Sequence, residues 1–547
     1  MTAPERRAVL ATSFATLLLW YDFYLYGWTA PQIGATFFAG FSPTAQYAFA
    51  LLVFAAGFLV RPVGAVAIGR LGDLIGRRYA MTLGLMAMGL STALVAVLPG
   101  SRAIGVLAPA FLIALRMLQG LALGGEYGAA ATYVAEWAPP GKRGFYTSFL
   151  QATATMGLFL SLLAIFVARN AFGAPAFGGV GLAAGWRAPY LASLFLVAAA
   201  LWLPGALDES PLFGDLRRRR ETSVAPVGEA FGDWARTRMG LAALFGMVAG
   251  QAVIWYGGQF YARVFLVGTL KLSPDAADMA LMAALFIGAA GFLLFGWLSD
   301  RIGRKPIILG GCLLAAATYF PAFGLLTHAA NPALEAALAK APVILTADPA
   351  DCSLLFDPVG GRVFANSCDV ARQALAALSV QFTTSAAPPG AVARVSVGSK
   401  TFEAVDLARG GPDAAAKRAA FANGVTAAVR AAGYPAGGAD PARVDLPLLV
   451  AVLVWLVLLV GMVYGPIAAA LAELFPTRIR QTALSLPYHV GNGWFGGLTP
   501  FIATAIVGAR GDIYAGLWYP VAVAAATAVI GFFALPETKD VDLADVA

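Results

Sequence analysis

Charge is scarce in this chain. Asp, Glu, Lys and Arg make up 12% of its 547 residues, against 59% apolar residues. Soluble domains carry about 25% charged residues, so a soluble globular class is excluded, and apolar surface must meet lipid as well as a core. Histidine and cysteine are scarcer still, at two and three residues. That is too few for a conventional zinc site, and no nucleophile–base set suggests a membrane enzyme. No metal, no cofactor and no catalytic residue is expected. The net charge is +7, yet the basic residues sit in short clusters between apolar runs. Loops at a membrane surface look like this, and nucleic acid is excluded as a partner. The first apolar run follows Glu5-Arg6-Arg7, lacks a small-residue cleavage site and is too long for a secretory leader. It reads as a spanning helix.

What the chain does have is apolar runs of spanning length, about 20 residues each. Twelve are placed at roughly 10–36, 46–70, 80–98, 104–133, 147–169, 188–206, 239–268, 278–298, 306–327, 446–471, 482–507 and 515–535. The order implies a first six-helix unit (1–208), a linker (209–238), three more helices (239–327), a polar segment (328–445), and three last helices with a short tail (446–547). Lys and Arg in short loops set orientation. One side holds Arg6, Arg7, Arg70, Arg77, Arg78, Lys142, Arg143, Arg217 to Arg220, Arg301, Arg304, Lys305, Arg478 and Arg480. The other holds Arg102, Arg169, Arg187, Lys271 and Arg510. The first side is read as cytoplasmic, with both termini on it.

The two halves repeat. Gly69-Arg-Leu-Gly-Asp73-Leu-Ile-Gly76-Arg77-Arg78 matches Gly296-Trp-Leu-Ser-Asp300-Arg-Ile-Gly303-Arg304-Lys305, 227 positions on. A looser match pairs Glu136 before Arg143 with Glu473 before Arg478. The glutamates stand 337 apart, and the excess is about the length of the 328–445 segment, which reads as an insert in the second half. Because it joins the ninth and tenth helices, it falls on the periplasmic side. Pro342-Val-Ile-Leu-Thr and Ala393-Arg-Val-Ser-Val resemble strands, and Ala414 to Ala431 a helix, so the insert is predicted as small and α/β. Outside the cytoplasm Cys352 and Cys368 can pair, while Cys312, in an apolar run, reads as a small core residue.

The repeated Gly-Asp-Gly-Arg loop resembles the signature of the major facilitator superfamily. Trp20-Tyr21-Asp22-Phe23-Tyr24-Leu25-Tyr26-Gly27, Phe58-Leu-Val-Arg61-Pro62-Val-Gly64, Arg116-Met-Leu-Gln119-Gly120-Leu-Ala-Leu-Gly124-Gly125-Glu126-Tyr127-Gly128 and Glu473-Leu-Phe-Pro476-Thr-Arg478-Ile-Arg480 narrow the resemblance to its metabolite:proton symporters. Where that family often has an acidic residue before the Trp-Tyr-Asp run, this chain has Leu19. The resemblance covers all but the insert. It implies an all-α membrane protein with the twelve-helix major facilitator fold, two six-helix bundles, in a bacterial inner membrane. It also implies proton-coupled uptake of a small polar or anionic metabolite such as citrate, 2-oxoglutarate, shikimate, proline or betaine. A monomer is expected. The other readings are a membrane sensor that uses the insert, and an uncoupled facilitator or exporter.

Certain residues are costly in a spanning helix and need a reason to be there. Asp22 falls near the middle of the first helix, where a carboxylate costs on the order of 3 kcal/mol. It reads as a proton carrier, with Glu126 as a second, against the alternative of structural ion pairs. Arg61 and Arg116 suit a carboxylate, unless each is permanently paired. Tyr21, Gln119, Trp255, Tyr256, Gln259, Tyr488 and Asn492 read as further substrate contacts, and Tyr261 reads either as one more or as part of an aromatic belt. His489 reads as a satisfied core histidine. Gly120, Gly124 and Gly128 mark one close-packed helix face. Asp73, Arg77, Arg78, Asp300, Arg304, Glu136, Arg143, Glu473 and Arg478 read as cytoplasmic gate elements.

Overall fold

The computed structural model describes residues 2–41, 43–353, 365–378, 380–407, 413–435 and 437–544. Parts of the predicted insert (354–364, 379, 408–412 and 436) and of the tail (545–547) lie outside the described residues. Eleven helical stretches are long and apolar enough to cross a membrane: Ala3–Trp28, Phe49–Ile75, Arg77–Val97, Leu107–Trp137, Arg143–Phe172, Gly185–Leu203, Trp234–Thr269, Pro274–Ile302, Arg304–Ala330, Leu446–Leu474 and Ala515–Ala534. Between the last two runs a further helix, Arg480–Val490 continued through Gly491–Gly496 and Thr499–Arg510. It is broken at 497–498, so length and composition do not count it as a single span. With it the helices number twelve, and they are named below by their order in the chain.

Local chemistry explains the turns and kinks. Gly76 and Gly303 close the tight turns after helices two and eight with φ of +122° and +112°, backbone that only glycine adopts without strain. These are matched glycines of the repeat. Helix two changes direction at Val60, between Pro43–Leu59 and Arg61–Ile75. Pro62 has no N–H to give and crowds the carbonyl four residues back. That carbonyl belongs to Phe58, and helix eleven comes so close to it that a Cβ on Gly493 would lie 2.9 Å from its oxygen.

The glycine face of helix four does what its spacing predicts. A Cβ on Gly120 would lie 2.2 Å from Gly57 O, and one on Gly124 would lie 2.2 Å from Arg61 O, so both glycines admit helix two. Gly128 admits Ser485 of helix eleven. Gly124→Val is expected to push helix two outward and destabilise the protein by about 3 kcal/mol, the upper part of the overpacking range. A fall in the detergent melting temperature checks this. An unchanged temperature would mean that the helices part freely.

The 328–445 segment builds a four-stranded sheet from β1 (Val343–Ala347), β2 (Phe382–Ala386), β3 (Arg394–Val397) and β4 (Lys400–Glu403), in the order β2-β1-β3-β4. The helix Ser367–Leu378 carries the chain from β1 to the parallel β2. β3 and β4 form an antiparallel hairpin beside β1, and Ala414–Ala431 packs on that hairpin. A disulfide joins Cys352 to Cys368. The unit sits on the loops of the second bundle: Phe382 N donates to Gly511 O (3.1 Å) and Ala439 N to Lys271 O (2.9 Å).

Candidate functional site

The two bundles meet mainly where helix two packs on helix eleven and helix five on helix eight. At the end rich in Lys and Arg, the repeated charges form two matching clusters. In the first, Asp73 accepts the amide protons of Gln481 (3.3 Å) and Thr482 (2.8 Å) at the start of helix eleven, across the interface. Arg77 pairs with Asp73 (3.0 Å) and Glu136 (3.5 Å), and Arg480 reaches Glu136 (2.9 Å) from the other bundle. In the second, Asp300 accepts the amide protons of Gly144 and Phe145 at the start of helix five, both at 2.8 Å. Arg304 pairs with Asp300 (2.7 Å) and Glu473 (3.1 Å), and Arg143 reaches Glu473 (2.7 Å). Carboxylates at helix N-termini meet free amides and the positive end of the dipole, and pairing offsets much of the desolvation cost that a single buried charge would bear.

This geometry corrects one sequence assignment. Arg478 is not the partner of Arg143 in the repeat. It is partly exposed and pairs with Glu229 of the linker at 3.2 Å, whereas Arg480 is buried in the cluster. From each glutamate the arginine stands seven positions on, at 143 and at 480. Arg78 lies at the cluster's edge, donating to Leu207 O at 2.8 Å, as Lys305 donates to Leu535 O at 2.7 Å. Glu209 accepts the amides of Arg77 and Arg78, and Glu537 those of Arg304 and Lys305. Ser210 bonds Glu136 and Thr538 bonds Glu473. Sequence reasoning missed these four residues, although Leu207-Asp-Glu209-Ser210 recurs as Leu535-Pro-Glu537-Thr538. It also missed the tail. Val541 O accepts from Arg143 (3.2 Å) and Leu543 O from Arg480 (3.0 Å), while the Leu543 side chain is buried against Ala135 and Ala472, one from each bundle.

Deeper in, the predicted interior residues divide into three groups. Arg61 is fully buried and faces the rings of Trp20, Phe23 and Phe58 at 5.6–5.7 Å; the Tyr256 hydroxyl lies within its reach, and among the described residues no carboxylate pairs with it. Around it gather Tyr256, which meets Phe58 edge-on, and Trp255, which stacks on Tyr24. Tyr488 stacks on Tyr127 at 3.8 Å and bonds Tyr464. Asn492 and Gln251 pair with each other at 3.0 Å, and Gln259 reaches across the bundles to Thr155 at 3.2 Å. Helices seven and eleven widen into π turns at Tyr256–Tyr261 and Gly491–Gly496, a distortion common at functional sites.

The second group stays within the first bundle. Arg116 donates to Gln119 (2.8 Å), which donates to Thr92 (3.0 Å), and its guanidinium lies over Phe23, Tyr26 and Phe54. Asp22 is buried beside the Thr92 hydroxyl and has no cationic partner among the described residues. Tyr21 turns to helix six and donates to Pro189 O at 2.9 Å. Glu126 stands apart from both groups, holding the Thr16 hydroxyl at 2.8 Å with one oxygen and leaving the other unpartnered. Among the described residues no ion pair joins Asp22, Glu126, Arg61 or Arg116, so the alternative of permanent structural pairs fails for this state. Two other expectations also change. Tyr261 is buried, not in an interfacial belt, and both ring nitrogens of His489 lack partners.

Comparisons with known proteins agree with this architecture. A Major Facilitator Superfamily model matches residues 12–344, and a Sugar (and other) transporter model matches residues 413–547. The stretch between them holds the disulfide and three of the four strands. The chain is 34% identical to the alpha-ketoglutarate permease of Escherichia coli (strain K12), over 59% of this chain and 73% of that protein. It is 31% identical to the proline/betaine transporter of Salmonella typhimurium (62% and 68% covered) and 32% identical to the citrate-proton symporter of Klebsiella pneumoniae (59% and 70% covered). Among solved structures, the proton:xylose symporter XylE with bound 6-bromo-6-deoxy-D-glucose superposes with a TM-score of 0.62 at 17% identity, covering 100% of this chain and 98% of that one. The chain therefore belongs to the major facilitator superfamily and is a multi-pass membrane transporter related to symporters of organic acids and betaine.

Proposed function

We propose that this transporter imports a small carboxylate-bearing metabolite together with protons, by alternating access. The observation that carries this reading is Arg61, a fully buried guanidinium with no carboxylate partner among the described residues, beside the interface of the two bundles. An unpaired buried cation is strongly unfavourable, and a substrate carboxylate is the partner that removes the cost. The repeat supplies the means of movement. Two matched charge clusters tie the bundles together at the basic end, and breaking them lets one bundle rock against the other. The basic end faces the cytoplasm with both termini, by the loop-charge rule. The insert then lies outside the cytoplasm and rides on the second bundle as a lid or spacer.

Asp22 and Glu126 are the proton carriers in this scheme, being carboxylates without a cationic partner in a water-poor interior. Protonation from outside accompanies substrate entry, and release inside resets the carrier. The test is uptake of radiolabelled 2-oxoglutarate, citrate, shikimate, proline and glycine betaine into vesicles. At least one carboxylate is expected to accumulate. Asp22→Asn is expected to abolish accumulation against a gradient while substrate exchange across the membrane continues. Full accumulation by Asp22→Asn would remove that residue from the mechanism, and uptake of none of the five would remove the substrate class.

A further inference from the structure

We propose that His489 is a substrate-binding residue, the second half of the anion site that Arg61 begins, so that one substrate carboxylate bridges the two bundles; this rests on the carboxylate-importer reading above. His489 is fully buried and neither ring nitrogen has a hydrogen-bond partner. Buried polar groups are nearly always satisfied, and each exception needs a reason. An imidazole carries at least one N–H, so a donor is left without its acceptor.

The polar atoms of the rings that pack on it are bonded to other groups. Tyr127 and Tyr488 meet the His489 ring edge-to-face, at 6.0 Å and 5.0 Å between centroids, and fix its plane. The Tyr127 hydroxyl accepts from Gln151 (2.6 Å) and the Tyr488 hydroxyl bonds that of Tyr464 (2.5 Å). One turn on, Asn492 is bonded to Gln251 and to Tyr488 O.

Arg61 is the charged group that acts on this ring across the interface. Helices two and eleven run antiparallel: Gly493 meets Phe58, and Thr482 meets Gly69. That register sets Arg61 opposite positions 489 and 490. From helix four the titratable neighbour is Tyr127, from helix ten Tyr464 through Tyr488, and from helix seven Tyr256, against Gly496. None is a carboxylate. A guanidinium without a counter-charge therefore stands opposite an imidazole with two unpartnered nitrogens, on the other bundle, inside an aromatic wall. A cation is repelled from this place, and a carboxylate oxygen satisfies both sides. Bridging also gives the substrate contacts that differ between states, since rocking separates the two halves, and such differential contacts are what shift a conformational equilibrium.

The test uses purified full-length wild type, His489→Gln and His489→Leu, with 2-oxoglutarate, citrate and shikimate as probes and calorimetry as the readout. A charge-assisted hydrogen bond is expected to be lost in His489→Leu, weakening the best carboxylate probe by about 10- to 100-fold. His489→Gln, which keeps a donor, falls between. The same Leu variant is expected to lose the preference for the free carboxylate over its methyl ester, which a purely structural role would not move. If His489→Leu does not fold, the Gln variant decides on the same preference. Wild-type affinity and unchanged ester discrimination in the variants would overturn the role of His489 and leave the importer reading standing. No binding of any carboxylate by the wild type would overturn both.

Discussion

Arg61→Leu is expected to abolish carboxylate transport and at the same time to make the substrate-free protein more stable. Both effects come from one fact, that the guanidinium is buried without a counter-charge. With substrate bound, removing one partner of a buried charged pair costs about 2–5 kcal/mol, a loss of affinity of roughly 30-fold to several thousandfold. Without substrate, the desolvation of Arg61 is offset only by neutral groups, its three aromatic faces and the Tyr256 hydroxyl. Cation–π contacts at such a place return about 2 kcal/mol, less than the several kcal/mol that burial of an ion costs. A leucine fits the aromatic surroundings and carries no such penalty, so a rise in melting temperature of the substrate-free variant is expected. Binding calorimetry and thermal unfolding on one preparation check both signs. If the variant is less stable and binds normally, Arg61 is a structural cation and the proposed site is misplaced.

The second large effect is expected at the matched charge clusters. Glu473 holds Arg143 of the first bundle and Arg304 of the second, together with the Thr538 hydroxyl. Glu473→Gln leaves two buried guanidiniums short of a counter-charge in this state only, at a cost of about 3–5 kcal/mol. A state in which the clusters part and water enters does not bear that cost. The equilibrium between states is therefore expected to move toward opening at the basic end by about 100-fold or more. Glu136→Gln is expected to act the same way, because Glu136 holds Arg77 and Arg480 from opposite bundles. The measurement is the labelling rate of a thiol at Ser485→Cys, a buried position beside Gly128 at the interface. Faster labelling and slower transport are expected together. An unchanged labelling rate would show that the clusters do not hold the closed end.

Much of the architecture was legible because membrane burial writes itself into composition. Apolar runs gave the helices, and the repeat around Asp73 and Asp300 gave two related halves. Gly120, Gly124 and Gly128 gave a close-packed face. Helix eleven was placed at 482–507 and runs over 480–510, but its break at 497–498 went unread, since it follows from a glycine-rich turn whose shape the sequence does not state. The insert's strand and helix patterns at 342–346, 393–397 and 414–431 were readable, but β2 and β4 were not, being short and mostly exposed. Arg478 was mistaken for Arg480 because two arginines stand two positions apart in one turn, and only the fold decides which one points inward. The capping role of Glu209 and Glu537 had a weak signal in their matched surroundings. The seating of Leu543 had none, since a leucine in a tail looks the same whether it is exposed or wedged between bundles.

The polar interior marks the deeper limit. Sequence can say that Asp22, Arg61, Arg116, Glu126 and His489 lie in spanning helices. It cannot say which of them have partners, because partners come from helices distant in the chain. Arg116 is engaged by Gln119, three residues away on the same helix face, and that contact follows from helical spacing. The missing counter-charge of Arg61 and the open nitrogens of His489 are visible only once helices two and eleven are brought together.

Uptake of a labelled carboxylate by reconstituted vesicles, with the direction of the pH gradient reversed between two otherwise identical samples, is the most direct test of proton-driven import. The account predicts concentration above the external level when the outside is acidic, and only equilibration when the gradient is reversed or collapsed by a protonophore. Equal uptake in both samples would contradict it.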